Sequence, residues 1–162
     1  MTDRTTTVLT ENADDLLRYF RRRVGDDDAP DLLADTLMTA WRRAPVLPQD
    51  PEQARAWLFG IAHRMLLNHR RGVRRRNRLG DRVRTALALT DPAPAADAGL
   101  EVRDAIAALD SRHAEIVRLV HWEGFTLAQV ADILDQPAST VRNHYQQAKR
   151  HLREALQTPA SC

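Results

Sequence analysis

Apolar residues recur at helical spacing through both ends of the chain, and turn residues separate the runs. Ala13, Leu16, Leu17, Phe20 and Val24 trace one face of a first helix, which Gly25 and three successive Asp residues bring to a stop. A second helix follows. Asp28 stands where a cap belongs, Pro30 fits the first turn, and Asp31 places negative charge near the N-terminus, where the helix dipole favours it. Its predicted buried stripe is Leu33, Thr36, Leu37, Ala40 and Trp41. The loop Ala44 to Gln49, with Pro45 and Pro48, leads to a third, longer helix opened by Asp50 and Pro51. There Ala54, Trp57, Leu58, Ile61, Ala62, Met65 and Leu66 keep the i, i+3, i+4, i+7 pattern. Trp41 and Trp57 are expected in the core, whereas Phe59 points away from its helix's stripe.

The C-terminal part carries a sharper local pattern. Ile116, Val117 and Val120 mark one helix, Gly124 breaks it, and Thr126 with Gln129 three residues on has the form of a capping box. Leu127, Val130, Ala131 and Leu134 give a two-turn stripe. Asp135, Gln136 and Pro137 make a turn, and Val141, Tyr145, Ala148 and Leu152 form the stripe of the next helix. A short helix, a tight turn and a longer helix predict a helix-turn-helix. Between the two parts, Leu89 to Gly99 reads LTDPAPAADAG, in which two prolines break any helix and the side chains are too small to build a core. No alternating run bounded by turn residues predicts a strand. The expected fold is all-α: two small helical domains, 8–80 and 99–156, joined by a flexible Pro/Ala linker at 81–98, the C-terminal domain being the helix-turn-helix.

Composition changes this picture in three ways. With 43% apolar residues in 162, the chain is rich enough to bury real cores. Its net charge of +2 hides a local bias: 23 of the 24 basic residues are Arg, Lys149 is the exception, and eight Arg fall between Arg70 and Arg84 against Asp81 alone. That pattern suits contact with an anionic polymer at chosen places. No apolar run approaches the roughly 18 residues a membrane span needs, and Met1 to Glu11 is polar, so a cytoplasmic protein without membrane insertion is expected. Cys162 is alone, which excludes an internal disulfide and a cysteine metal cluster.

Enzymatic chemistry finds no support. His63, His69, His113, His121, His144 and His151 form no HExxH motif, no Gly-rich phosphate loop is present, and no Ser stands in a nucleophile elbow. No cofactor or metal is expected. Nucleic acid is better served. On the third helix Gly60, Arg64, Leu67, Asn68 and Arg71 line a flank beside the core stripe, and that flank runs into RRGVRRRNR, residues 70–78. A solvated helix end is the plain alternative for this run. The adjoining Asn and Arg, and the lack of interleaved acid, favour phosphate contacts through Arg71, Arg74, Arg75 and Arg76. On the second helix of the helix-turn-helix, Ser139, Arg142, Asn143, Gln146 and Gln147 face outward, with Thr140 in the first turn and Lys149 and Arg150 beyond. Arg pairs bidentately with guanine, Asn and Gln with adenine, and Ser or Thr holds phosphate, so this face suits a major groove. Asp31 and Asp35, one turn apart, form an acidic edge on the second helix.

These runs resemble the bacterial RNA polymerase sigma factors of the small, two-domain extracytoplasmic-function (ECF) type. DAPDLLADTLMTAW, Asp28 to Trp41, is similar to the segment that binds the clamp helices of the largest polymerase subunit. ARAWLFGIAHRMLLNHRR, Ala54 to Arg71, is similar to the minus-ten helix, and EGFTLAQVADILDQPASTVRNHYQQAKRHL, Glu123 to Leu152, to the minus-thirty-five reader. The resemblance implies that Asp31 and Asp35 contact polymerase, that Asn68 takes part in minus-ten recognition, and that Arg142, Asn143, Gln146 and Gln147 read bases. It also implies a protein that binds core polymerase and promoter DNA, directs initiation, helps melt the duplex, and has an anti-sigma protein as a further partner. The sequence departs from the family pattern at Ala34, Arg64 and Ser139, where Gln, Asn and Gly are frequent, and in the loop Ala44 to Gln49, which lacks the usual aromatic. A regulator with a LuxR-like helix-turn-helix is the main alternative, but such proteins usually carry an alternating strand-and-helix domain where this chain is helical. An interaction module of helical hairpins is disfavoured by the Arg cluster.

Overall fold

The computed structural model describes residues 2–80 and 100–157; the Pro/Ala stretch Leu89 to Gly99 and Cys162 lie outside the described residues. Among the described residues seven α-helices follow one another: α1 (Thr2–Val24), α2 (Ala29–Arg42), α3 (Pro51–Gly80), α4 (Leu100–Ala107), α5 (Ser111–His121), α6 (Leu127–Leu134) and α7 (Ala138–Gln157). A 3₁₀ turn, Ala44–Val46, lies between α2 and α3, and no strand occurs among the described residues. The all-α expectation holds, and α6 and α7 form the helix-turn-helix.

Local signals account for most boundaries. Gly25 takes a positive φ of 86°, a conformation that a side chain would strain, and ends α1. Asp50 accepts a hydrogen bond from the Gln53 backbone N–H at 2.9 Å and caps α3. Thr126 and Gln129 close the predicted capping box in both directions, at 3.2 and 2.9 Å. Asp135, at φ 53°, makes the left-handed turn into α7. α1 begins at Thr2; Thr5 and Leu9 are buried and Arg4 donates hydrogen bonds to the carbonyls of Pro48 and Gln49. One expectation changes. Asp28 precedes α2 with a helical backbone and makes no side-chain cap; its carboxylate lies 3.4 Å from His69 Nε2 on α3.

The predicted stripes of α3, α5 and α7 are buried or half-buried, Phe59 of α3 is buried as well, and α2 is rotated. There Ala29, Leu32, Thr36 and Ala40 face inward, Leu33 and Leu37 are half-buried, and Trp41 is 47% exposed, against the expectation that it is core. Small side chains at the contact let α2 lie close to its neighbours, and the Thr36 hydroxyl is satisfied by the Leu32 carbonyl at 2.7 Å. Trp57 is half-buried, with the Arg43 guanidinium 5.7 Å from its ring.

The two helical halves share one core. Leu16, Tyr19, Phe20, Leu58, Phe59 and Leu66 from the first half form a single cluster with Ile116, Leu119, Phe125, Val130, Ile133 and Val141 from the second. A smaller cluster of Ile106, Ala114, Val117 and Ala148 belongs to the second half alone. Phe59, which lies off the apolar stripe of its own helix, is fully buried edge-to-face between Tyr19 at 5.3 Å and Phe125 at 5.0 Å.

A buried ion cluster spans the same boundary. The Arg23 side chain is 1% exposed; its Nε lies 3.1 and 3.2 Å from the two Glu115 oxygens, its Nη2 2.9 Å from Glu115 Oε1, and its Nη1 3.7 Å from Glu123. Burial by itself would lower the Arg23 pKa, but Glu115 and Tyr19 beside it raise it above its ordinary value. Glu123 is raised by burial, in spite of Arg23 and Arg22.

His63, on α3, lines a cleft with Glu115, Arg112, Leu134 and Gln136. Burial lowers its pKa, Glu115 opposes that, and Arg23, Arg70 and Arg64 add to the lowering. Below the ordinary His value of about 6.5 the unfolded chain therefore takes up a proton that the native chain resists, and stability falls as pH falls through that window. The His63→Gln variant removes this dependence. Chemical denaturation from pH 8 to 5.5 is expected to show a steeper acid loss for wild type than for the variant, and curves that stay parallel throughout would exclude the effect.

Candidate nucleic-acid interface

α3 presents two faces of different chemistry. Ala54, Leu58, Ile61, Ala62 and Leu66 anchor it in the core, while Arg64, Asn68, Arg71, Arg74, Arg75 and Arg76 are exposed. Four of these Arg lie within six residues, so successive guanidinium groups project around the last turns of the helix. Among the described residues of the run from Arg70 to Asn77 no acid is interleaved. Arg78, Arg82 and Arg84, counted with the run in the sequence, carry no described side chain. Such an array suits contact with successive phosphates.

α7 is held by Val141 and Ala148, both buried, and by half-buried Tyr145 and Leu152. Tyr145 is fixed by a 3.0 Å contact between its hydroxyl and His121 Nε2, and the Lys149 ammonium lies 4.9 Å from its ring. Ser139, Arg142, Asn143, Gln146 and Gln147 are exposed together, and Thr140 and Lys149 are half-buried at the edges of that face. The row is made of donors and acceptors able to reach base edges, on a helix whose core residues hold it rigid.

On α2, Asp31 and Asp35 are both exposed. Met38 and Arg42 continue the same face at helical spacing. Met38 is 53% exposed and with Trp41, Leu9, Leu37 and Arg42 lines a shallow, apolar recess. The apolar spacing predicts Trp41 in the core and does not reveal this recess. The available signal is that Leu32, Leu33, Leu37, Met38, Ala40 and Trp41 surround more of the helix than one stripe can bury. Nor does the spacing reveal the pairing of Arg23 with Glu115 and Glu123, for which the only local sign is an acid set among the apolar residues of α5.

Residues 8–76 match the Sigma-70 region 2 family, and residues 99–152 the Sigma-70 region 4 family. The chain is 34% identical over 151 residues to the ECF RNA polymerase sigma factor SigL of Mycobacterium tuberculosis, covering 91% of this chain and 85% of that protein. Two solved structures share its fold. One is the sigma factor RpoE in complex with the anti-sigma factor NepR from Bartonella quintana, with a TM-score of 0.63, 23% identity, and coverage of 98% of this chain and 97% of that one. The other is CnrH in complex with the cytosolic domain of CnrY, with a TM-score of 0.65, 20% identity, and coverage of 99% and 92%. With regions 2 and 4 in order on one all-helical chain and kinship to SigL along almost its whole length, the protein belongs to the ECF RNA polymerase sigma factors.

Proposed function

We propose that this sigma factor binds core RNA polymerase through the Asp31 and Asp35 edge of α2, reads the minus-ten element with the flank of α3, and reads the minus-thirty-five element with α7. In that division of labour Asn68 and Arg64 approach bases of the minus-ten strand, and Arg71, Arg74, Arg75 and Arg76 hold phosphates and assist melting. Ser139, Thr140 and Lys149 position α7, while Arg142, Asn143, Gln146 and Gln147 select bases. The factor performs no chemistry itself and works in the cytoplasm, where core polymerase meets the promoter. The observation that carries this reading is the exposed row of Arg142, Asn143, Gln146 and Gln147 on α7, which no acidic side chain of its own helix interrupts before Glu154. An anti-sigma protein as a partner is supported by the solved structure of RpoE, which is in complex with the anti-sigma factor NepR.

Core polymerase plus this protein on genomic DNA, with the transcript starts sequenced, tests the reading. A shared pair of upstream elements is the expected result; starts indistinguishable from those of core alone would overturn it. In the same assay Arg142→Ala is expected to cost about 1–3 kcal/mol and to relax preference at one position of the upstream element. An unchanged upstream element would remove Arg142 from the base-reading set.

A further inference from the structure

The start of α1 is tied to the loop that leads into α3. Thr5 and Leu9 are buried and hold that end of the helix, and half-buried Arg4 reaches from it to a residue 44 positions along the chain. One nitrogen, Nη2, donates to the carbonyls of both Pro48 and Gln49, the second at 2.9 Å. A guanidinium Nη carries two hydrogens, so both carbonyls are served at once by charge-assisted bonds. The loop has little else at this point. Pro45 and Pro48 have no N–H to donate, and the turn bonds from Val46 to Arg43 and from Leu47 to Ala44 stop at Leu47, whose backbone is extended. The next backbone bond is the one from Ala54 to Asp50 that opens α3. Buried Leu47 therefore pins the loop upstream, and Arg4 pins it downstream.

The pinned segment is a wall. Pro48 lines a cleft with Arg43, Trp57, Gly60 and Arg64, and Gln129 and Asp132 of α6 lie on its far side. Arg64 is the residue proposed for contact with minus-ten bases, and the Arg43 guanidinium lies 5.7 Å from the Trp57 ring. A base entering beside Arg64 thus meets guanidinium groups and an aromatic surface, the partners that unstacked bases favour. The loop Ala44 to Gln49 has no aromatic of its own. What it offers a base is the position of its backbone.

We propose that Arg4 is a positioning residue for promoter selectivity: by holding the Pro48 and Gln49 carbonyls it fixes the loop against α3 and sets the gap, opposite Arg64, that admits one base of the minus-ten element. The inference rests on the assignment of the α3 flank to that element. Arg4 itself touches no DNA in this reading and acts through the loop. Such a tether matters because a binding constellation works only when its parts are held within about 0.5 Å of the productive geometry by packing and by hydrogen bonds from behind.

The test uses holoenzyme assembled from core polymerase and the full chain as wild type, Arg4→Met, Arg4→Lys or Asn68→Ala, selected for binding on a promoter library randomised across the minus-ten element. Arg4→Met keeps the apolar stem and removes the donors. It is expected to reduce the preference for the best base at one minus-ten position by about tenfold, within the range that one base contact supplies, and to leave the minus-thirty-five element unchanged. Arg4→Lys, which donates to the same carbonyls, is expected to keep most of that preference. Faster hydrogen exchange at the amides of Val46, Leu47 and Gln49 in the free Arg4→Met chain is the expected sign that the loop has come loose.

If Asn68→Ala shifts the minus-ten element and Arg4→Met does not, the assignment of α3 stands and the proposal is overturned. If neither variant shifts it, the assignment itself fails and takes the proposal with it. An equal loss on every sequence with a flatter salt dependence would make Arg4 a phosphate contact and would also overturn the proposal. Circular dichroism separates these outcomes from misfolding: loss of the native helices in Arg4→Met and Arg4→Ala alike would make Arg4 a folding residue, against the proposal.

Discussion

The double variant Asp31→Arg, Asp35→Arg is expected to lose core polymerase in a pull-down while keeping its helices. Both carboxylates are exposed on α2, one turn apart, with the core contact of that helix carried by Ala29, Leu32, Thr36 and Ala40 on the other side. The fold therefore does not depend on them. Under the proposed docking on a basic polymerase surface, two added Arg replace attraction with repulsion, and like charges brought together at an interface cost several kcal/mol. At a few kcal/mol the affinity falls by at least about a hundredfold, since each 1.4 kcal/mol is about tenfold. Core binding at wild-type strength by a double variant with native circular dichroism would move the polymerase interface away from α2.

Phe59→Ala is expected to lower stability by about 3–5 kcal/mol, the range for emptying a buried aromatic position. Three aromatic rings and a guanidinium converge there: Tyr19, Phe59 and Phe125 with Arg55 over the last two. Because the ring joins the cores of both halves, its loss is felt on both sides of the boundary. The measurement is urea unfolding followed by tryptophan fluorescence in two single-tryptophan versions, one keeping Trp57 in the first half and one Trp122 in the second. Both are expected to report the same shift of midpoint. A loss below about 1 kcal/mol, or a shift confined to one tryptophan, would contradict a shared core.

The loss also bears on which features of the protein are local. Gly25, Asp50, and the Thr126 and Gln129 pair act within one turn of chain, so the ends they make are decided by residues adjacent in sequence. Helical spacing in α3 and α7 is equally local, because 100° per residue carries the apolar side chains to one face whatever packs against it. Hence the all-helical architecture, the helix-turn-helix and the exposure of Asn68, Arg142 and Asn143 are legible in the amino-acid sequence. The paired helical segments and their order also carry the family resemblance.

Periodicity says that a helix has an apolar face, but it does not say which other surface will cover the remaining side chains. Trp41 shows one consequence: small residues at the inner contact of α2 turn the helix so that the tryptophan faces outward. Asp28, an apparent cap, instead faces His69, 41 positions away in sequence and adjacent only after α2 and α3 pack. Phe59 and Ile133 each lie off the stripe of their own helix and are buried in the core that both halves share. Arg23 and Glu115, 92 residues apart, are polar by sequence, and burial is tolerable for them only as a pair with matched geometry. Sequence by itself thus determined most of the helices, the ends set by Gly25, Asp50 and the Thr126–Gln129 pair, and the chemistry of the outer faces, since each depends on neighbours within a turn or two. Tertiary structure decided which of those faces stay open, because burial and ion pairing depend on residues that meet only when the chain has folded back on itself.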